Sequence, residues 1–251
     1  MIRGLYTAAS GMMVEAARQE TITNNVANSD TAGFKKDLAM QRAYPEQAVA
    51  RIGDGGVFPR RPLIGVLGLG SLVDSIHTSY EQGNLTETGR AMDLAVAGDG
   101  FFTVDTPQGV RYTRSGSFSV DADRTLVNDQ GDRVLGVDGP LQLPEGELTV
   151  DGSGRVFVNE VYQGQLNLRV FAEPAELRKV GNSLFAANEE AVDAPFTGAV
   201  RQGFLETSNV EMVQEMVRML SALRAYETNQ RVVQAQDELL GKAVNEIGAL
   251  R

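Results

Sequence analysis

The stretch from Met212 to Ile247 reads MVQEMVRMLSALRAYETNQRVVQAQDELLGKAVNEI. Within it Met212, Met216, Met219, Leu223, Tyr226, Gln230, Val233, Asp237, Leu240, Val244 and Ile247 recur at alternating steps of four and three. That spacing keeps one stripe on one side of a helix, and the stripe must lie against another helix to leave water. Gln230 and Asp237 interrupt it where Leu would stabilise most, the places where a polar seam residue sets register or partner number. A weaker stripe runs through the other end of the chain: Ile2, Leu5, Ala9, Met12 and Ala16, then Thr23 and Val26 after a polar step at Gln19. The two helices must pair with each other or with copies from neighbouring molecules, which points to assembly before chemistry.

Between the helices the period changes. Residues 4 to 28 are mostly strong helix formers until Asn24, Asn25 and Asn28 weaken them, and Thr31-Ala32-Gly33 supplies a break with a glycine suited to a left-handed cap. Residues 34–75 show no sustained period and are punctuated by Pro45, Gly53, Gly55, Gly56, Pro59 and Pro62. They read as an extended, loop-rich connector, long enough that it either packs on something or orders on assembly. From about residue 76 the period is two, with strands expected at 94–97, 101–105, 111–114, 117–120, 125–128, 133–135, 148–150, 156–159 and 166–171. Turns at Gly98-Asp99-Gly100, Asp121-Ala122-Asp123, Asp129-Gln130-Gly131 and Asp151-Gly152-Ser153-Gly154 separate them. Residues 172–205 hold further short strands or loops, and Ser208-Asn209 offers an N-cap for the last helix.

The expected fold is therefore α+β and mainly β. N- and C-terminal helices form a coiled-coil domain beside a central antiparallel β-rich domain. The divisions are 1–33 for the first helix, 34–75 for the connector, 76–204 for the β domain and 205–251 for the closing helix. The run 119–128 is echoed by 149–159, each reading strand, Asp-led turn, strand; two copies do not make a solenoid, and hairpins converge on such turns.

The net charge of −10 over 251 residues argues against a nucleic-acid partner, and the absence of cysteine excludes disulfides and thiolate zinc sites. No stretch approaches the length of an apolar membrane span, so no membrane insertion is expected. The opening residues lack the apolar run of a Sec signal, which implies a cytoplasmic chain unless another export route operates.

Searching for chemistry finds little. The single histidine, His77, precludes a multi-histidine metal site and sits in a β-like context. Gly181-Asn182-Ser183-Leu184-Phe185 fails as a nucleophile elbow, and the glycines of 65–70 have the wrong offsets for a nucleotide loop. Asp121 and Asp123 begin like a calcium loop, but Leu126 stands where glycine is needed. Glu189-Glu190 reads as a solvated turn. Neither cofactor, metal nor catalytic activity is expected.

Four separated blocks then resemble one family. Asn24-Asn25-Val26-Ala27-Asn28 with Thr31-Ala32-Gly33-Phe34-Lys35 is similar to the N-terminal motif of bacterial flagellar rod and hook proteins, as is Leu5-Tyr6-Thr7-Ala8-Ala9-Ser10-Gly11-Met12 before it. Met92-Asp93-Leu94-Ala95-Val96-Ala97-Gly98-Asp99-Gly100-Phe101-Phe102 resembles the family's core β signature, continued by residues 111–118. Gly203-Phe204-Leu205-Glu206-Thr207-Ser208-Asn209-Val210 and Arg224-Ala225-Tyr226-Glu227-Thr228-Asn229 resemble its closing motifs. The resemblance implies a structural subunit of the flagellar basal-body rod. Its partners would be copies of itself, other rod and hook proteins and the flagellar type III export apparatus, and its place the periplasm-spanning rod. That export route removes the cytoplasmic inference. It also implies an assembly interface of Leu5, Ala9, Met12, Ala16, Asn24, Asn25, Asn28, Gly33 and Phe34 together with the stripe from Met212 to Ile247. The Tyr44-Pro45-Glu46 neighbourhood favours a proximal over a distal rod position. The competing readings are a β-sandwich binding module on a coiled-coil stalk and a carbohydrate-active β domain.

Overall fold

A computed structural model describes residues 2–50, 63–173, 176–188 and 192–248. It is mainly β with a long helix at each end, α1 (Ile2–Ala27) and α2 (Met212–Gly248). The chain divides into two compact units. One comprises residues 1–24, 37–77 and 213–251; the other comprises 25–36 and 78–212.

The first unit holds both helices and four strands: β1 (Asp37–Ala43), β2 (Gln47–Ala50), β3 (Leu63–Leu67) and β4 (Ser71–Thr78). β1 pairs with β4, and β2 with β3 in register Ala48 opposite Val66. The described part of the segment read as a loop-rich connector thus forms two narrow ribbons. Their pairing is invisible to a periodicity test because a two-stranded ribbon buries neither face fully. One end of the connector lies against α1. Gly70 lies so close to α1 that a Cβ there would stand 2.2 Å from Ser10 Oγ, and the Ser71 amide donates to that hydroxyl at 3.3 Å. Residues 51–62, including Pro59 and Pro62, fall outside the described part.

The second unit is antiparallel throughout. Its strands are β5 (Leu85–Glu87), β6 (Leu94–Ala97), β7 (Phe101–Thr106), β8 (Gly109–Thr113), β9 (Phe118–Val120), β10 (Leu126–Asn128) and β11 (Arg133–Gly136). There follow β12 (Gly139–Pro140), β13 (Leu148–Val150), β14 (Arg155–Val158), β15 (Val161–Gln165) and β16 (Leu168–Phe171). Last come β17 (Leu177–Gly181), β18 (Leu184–Ala187), β19 (Asp193–Ala194), β20 (Ala199–Gln202) and β21 (Phe204–Glu206). The main sheet runs β17-β18-β8-β7-β11-β10-β9, with β16 sharing the β11 edge of β7. β13-β14-β15 form a second sheet, and β20-β6 and β21-β5 are paired ribbons.

β7 is buried on both faces, and successive side chains on a strand point opposite ways. Phe102 and Val104 enter the larger core with Leu94, Phe118, Leu126, Val134 and Val156. Phe101 turns into a smaller core with Phe171, Leu177 and Phe185. Phe102 meets Phe118 edge to face at 5.1 Å, while Tyr80 closes the second core and donates its hydroxyl to the Leu177 carbonyl. The echoed turns share one hydrogen-bond pattern: the Asp121 amide donates to Thr125 O and the Asp151 amide to Arg155 O, both at 3.0 Å. Each needs a left-handed residue, Arg124 at φ 60 and Gly154 at φ 78. The first pays strain that the glycine avoids.

Candidate assembly surface

α1 and α2 approach each other through small residues rather than large ones. A Cβ on Gly11 would lie 2.8 Å from Asn229 Nδ2, and one on Gly4 would lie 3.5 Å from Gln236. Seven residues forward on α1 match seven back on α2, so the pair is antiparallel. On α1 the buried apolar positions are Ala8, Val14 and Ile22; on α2 they include Ala222 at 1 % exposure.

This rotates the intramolecular face of each helix by about one residue from the apolar stripe. On α2, Met219, Val233 and Leu240 are half-buried, whereas Met212, Met216, Leu223, Tyr226, Gln230, Asp237 and Val244 are exposed. Ile247 also lies on α2. The polar positions facing α1 are Asn229 and Gln236 rather than Gln230 and Asp237. On α1, Leu5, Ala9 and Met12 are half-buried and Ala16 is exposed. The reason is steric: backbones close up where Gly and Ala stand, and the bulkier Met and Leu are left outside. Val213 and Val217 add to the exposed apolar surface of α2, at 77 % and 59 % exposure.

Of the remaining motif residues, Asn24 ends the first segment of the helical unit, and Asn25, Asn28, Gly33 and Phe34 belong to the β unit. Asn25 is buried and Asn28 half-buried; Asn24 is exposed. The Thr31 hydroxyl donates to Asn28 Oδ1 at 3.2 Å. Gly33 does adopt the left-handed region, φ 66, but six residues past the end of α1. Its amide donates to Glu206 O at 2.8 Å, and a Cβ there would meet Ser115 N at 2.3 Å. Phe34 is buried with the Lys179 ammonium 3.7 Å above its ring.

Next to it the sequence reading missed a buried ionic cluster. Lys35 Nζ donates to Glu206 Oε1 at 2.6 Å and to the Glu81 carbonyl at 2.7 Å. Arg114 Nη1 donates to Glu206 Oε2 at 3.2 Å, and the Gly83 amide to Glu206 Oε1 at 3.0 Å. Burial pushes the Lys35 ammonium below its ordinary value, with Glu206 pulling the other way; the same opposition acts on Arg114. Arg114 also lies 5.0 Å over the Phe101 ring, which ties the cluster to the smaller core. Asn209, expected to cap α2, is engaged elsewhere: Oδ1 accepts from the Lys36 amide and Nδ2 donates to Ser79 O and Glu81 O. Strand alternation puts Glu206 on the face opposite Leu205 and Thr207, but nothing in these residue types marks the glutamate's face as the buried one.

Among the described residues no group of three or more His, Asp or Glu could hold a metal ion, and no helix is long and apolar enough to cross a membrane. His77 is exposed on β4, and Asp121 and Asp123 sit in an exposed turn. Glu189 and Glu190 lie outside the described residues.

Comparison with known proteins decides the family. The chain is 37 % identical to the flagellar basal-body rod protein FlgG of Borreliella burgdorferi, over 98 % of both chains. It is 33 % identical to FlgG of Bacillus subtilis over 98 % of this chain and 99 % of that one. The chain belongs to the flagellar basal-body rod family. Its members are structural components, so this chain is a rod structural protein of the bacterial flagellum that assembles with other axial proteins. A hook-basal body complex protein, FlhO of Bacillus subtilis, is a further relative at 31 % identity over the whole of both chains. Three family models match in order. The flagella basal body rod protein model covers residues 5–35, the hook protein FlgE/F/G D1 domain 95–158, and the rod FlgEFG protein C-terminal model 201–246. Lys35, Arg114 and Glu206 fall one in each, so the cluster joins the three segments by which the rod family is recognised.

Proposed function

We propose that this rod protein polymerises helically through its terminal helices to form part of the hollow shaft of the basal body, reaching it through the flagellar type III export route. The observation that carries this reading is the face of α2 holding Met212, Met216, Leu223 and Val244, which stays exposed although α1 and α2 already meet. Each such side chain gains about 1.5–3 kcal/mol on full burial, so burial against neighbouring copies can offset the cost of ordering both ends of the chain. Ile64, Val66 and Ile76 on the ribbons are exposed as well. Contacts of this heterologous kind do not close and so generate a tube rather than a discrete oligomer.

Within the rod, similarity to relatives named FlgG, the distal rod protein, favours the distal position over the proximal one drawn from Tyr44-Pro45-Glu46. A binding module on a coiled-coil stalk loses support, because the rod relatives match from end to end. The test is a small tag in the exposed turn at Ala122 of the sole chromosomal copy, followed by electron microscopy of isolated basal bodies. Label over most of the periplasmic length supports the distal subunit. Label confined near the inner membrane replaces it with the proximal one, and unlabelled basal bodies overturn the rod assignment.

A further inference from the structure

Three segments meet at the Lys35–Glu206–Arg114 cluster: residues 33–36, which follow α1; residues 79–84; and residues 206–209, which precede α2. Their backbones are bound reciprocally. Gly33 N donates to Glu206 O, Asn209 N to Phe34 O, Ser79 N to Lys36 O and Thr207 N to Asn84 O. The side chains cross the same boundaries, Lys35 to Glu206 and Glu81, and Asn209 to Lys36, Ser79 and Glu81.

We propose that this cluster is an interlock that makes residues 33–36 and 206–209 dock in the β unit as a single event, neither being held without the other. The charge count forces the coupling. Lys35 and Arg114 are 0 % and 3 % exposed and their carboxylate is Glu206, at 1 %. Asp99 attracts both cations, but it stands in an exposed position and can balance them only weakly. If residues 206–209 leave, two cations remain buried with their anion gone, and the cheapest relief is for Lys35 to swing out, carrying residues 33–36 with it. If residues 33–36 leave, Glu206 loses Lys35, its carbonyl loses the Gly33 amide, and Asn209 loses both backbone partners on that segment. Coupling of this kind is reciprocal by thermodynamic necessity. It goes beyond the rod assignment: it follows from the cluster alone and ties the segment after one terminal helix to the segment before the other.

Hydrogen exchange read by mass spectrometry on the full chain tests it. Glu206→Gln removes the anion at little change in volume. It should speed exchange in residues 33–36 and 206–209 together by about 100-fold or more, with β7 and β8 affected much less. Lys35→Met is the reciprocal variant and should speed both segments by one common factor, at least about 10-fold. If Glu206→Gln prevents folding, Lys35→Met alone decides, read at the Thr207 and Asn209 amides. Acceleration of one segment while the other keeps its native rate, in either variant, overturns the interlock.

Discussion

Lys35 and Glu206, 171 positions apart, meet at 2.6 Å with both side chains buried. Such a pair adds little over an apolar replacement of both partners, yet breaking it by removing one leaves an uncompensated charge. Glu206→Ala should therefore cost the β unit about 3–5 kcal/mol. Adding Lys35→Met and Arg114→Met should restore a large part of that loss. Denaturant unfolding followed by near-ultraviolet circular dichroism from Tyr80 and Tyr112 measures both; equal instability of single and triple variants would refute the charge argument.

The same lysine sets a pH dependence. Burial first, opposed by Glu206, holds its folded-state value below the 10.5 of an exposed lysine. Between those two values the unfolded chain binds the proton and the folded chain does not, so the Lys35 contribution to stability rises with pH across the window and is flat below it. The stability difference between the native chain and Lys35→Met should accordingly shift in favour of the native chain as pH climbs towards 10.5. A pH-independent difference on the alkaline side would contradict the lowered value.

Gly33 and Gly89 separate two costs of losing a glycine. Both have positive φ, 66 and 70, but a Cβ at Gly89 meets nothing within 4 Å while one at Gly33 lies 2.3 Å from the Ser115 backbone nitrogen. Gly89→Ala should cost about 1 kcal/mol, the conformational penalty alone. Gly33→Ala should cost at least about 2 kcal/mol more, because backbone must move. Parallel thermal melts check the ordering.

Adjacent positions on α2 should respond in opposite ways. Ala222 is 1 % exposed and Leu223 is 40 % exposed. Ala222→Asp buries a charge and should lower α2 helicity and stability by several kcal/mol, roughly 3 or more. Leu223→Asp should leave the circular dichroism of the isolated chain within error of the parent, yet abolish incorporation into basal bodies and motility. Normal motility with Leu223→Asp would remove that face from the assembly surface.

The strands that could be read in advance share a cause. β6, β7, β8, β9, β10, β11, β13, β14 and β16 fall within a few residues of the alternating runs, because each buries one or both faces in a core and is bounded by Asp- and Gly-rich turns. β17, β18, β20 and β21 were not resolved from the stretch around 172–205, although they are no shorter than β9, β10 and β13. The ribbons β1–β4 carry no burial pattern to mark them, since Ile64, Val66 and Ile76 stay exposed.

The sequence by itself determined two long terminal helices, an antiparallel β unit between them and the family. These follow from local periodicity, turn chemistry and residue order, which are carried along the chain. Only the tertiary structure decided which side of each helix meets the other, because close approach depends on Gly4, Gly11 and Ala222 being small rather than on where Met and Leu recur. Only it revealed that Lys35, Arg114 and Glu206 share one buried site. A lysine beside Phe34 looks solvated in one dimension; its burial depends on an anion that the chain supplies 171 residues later.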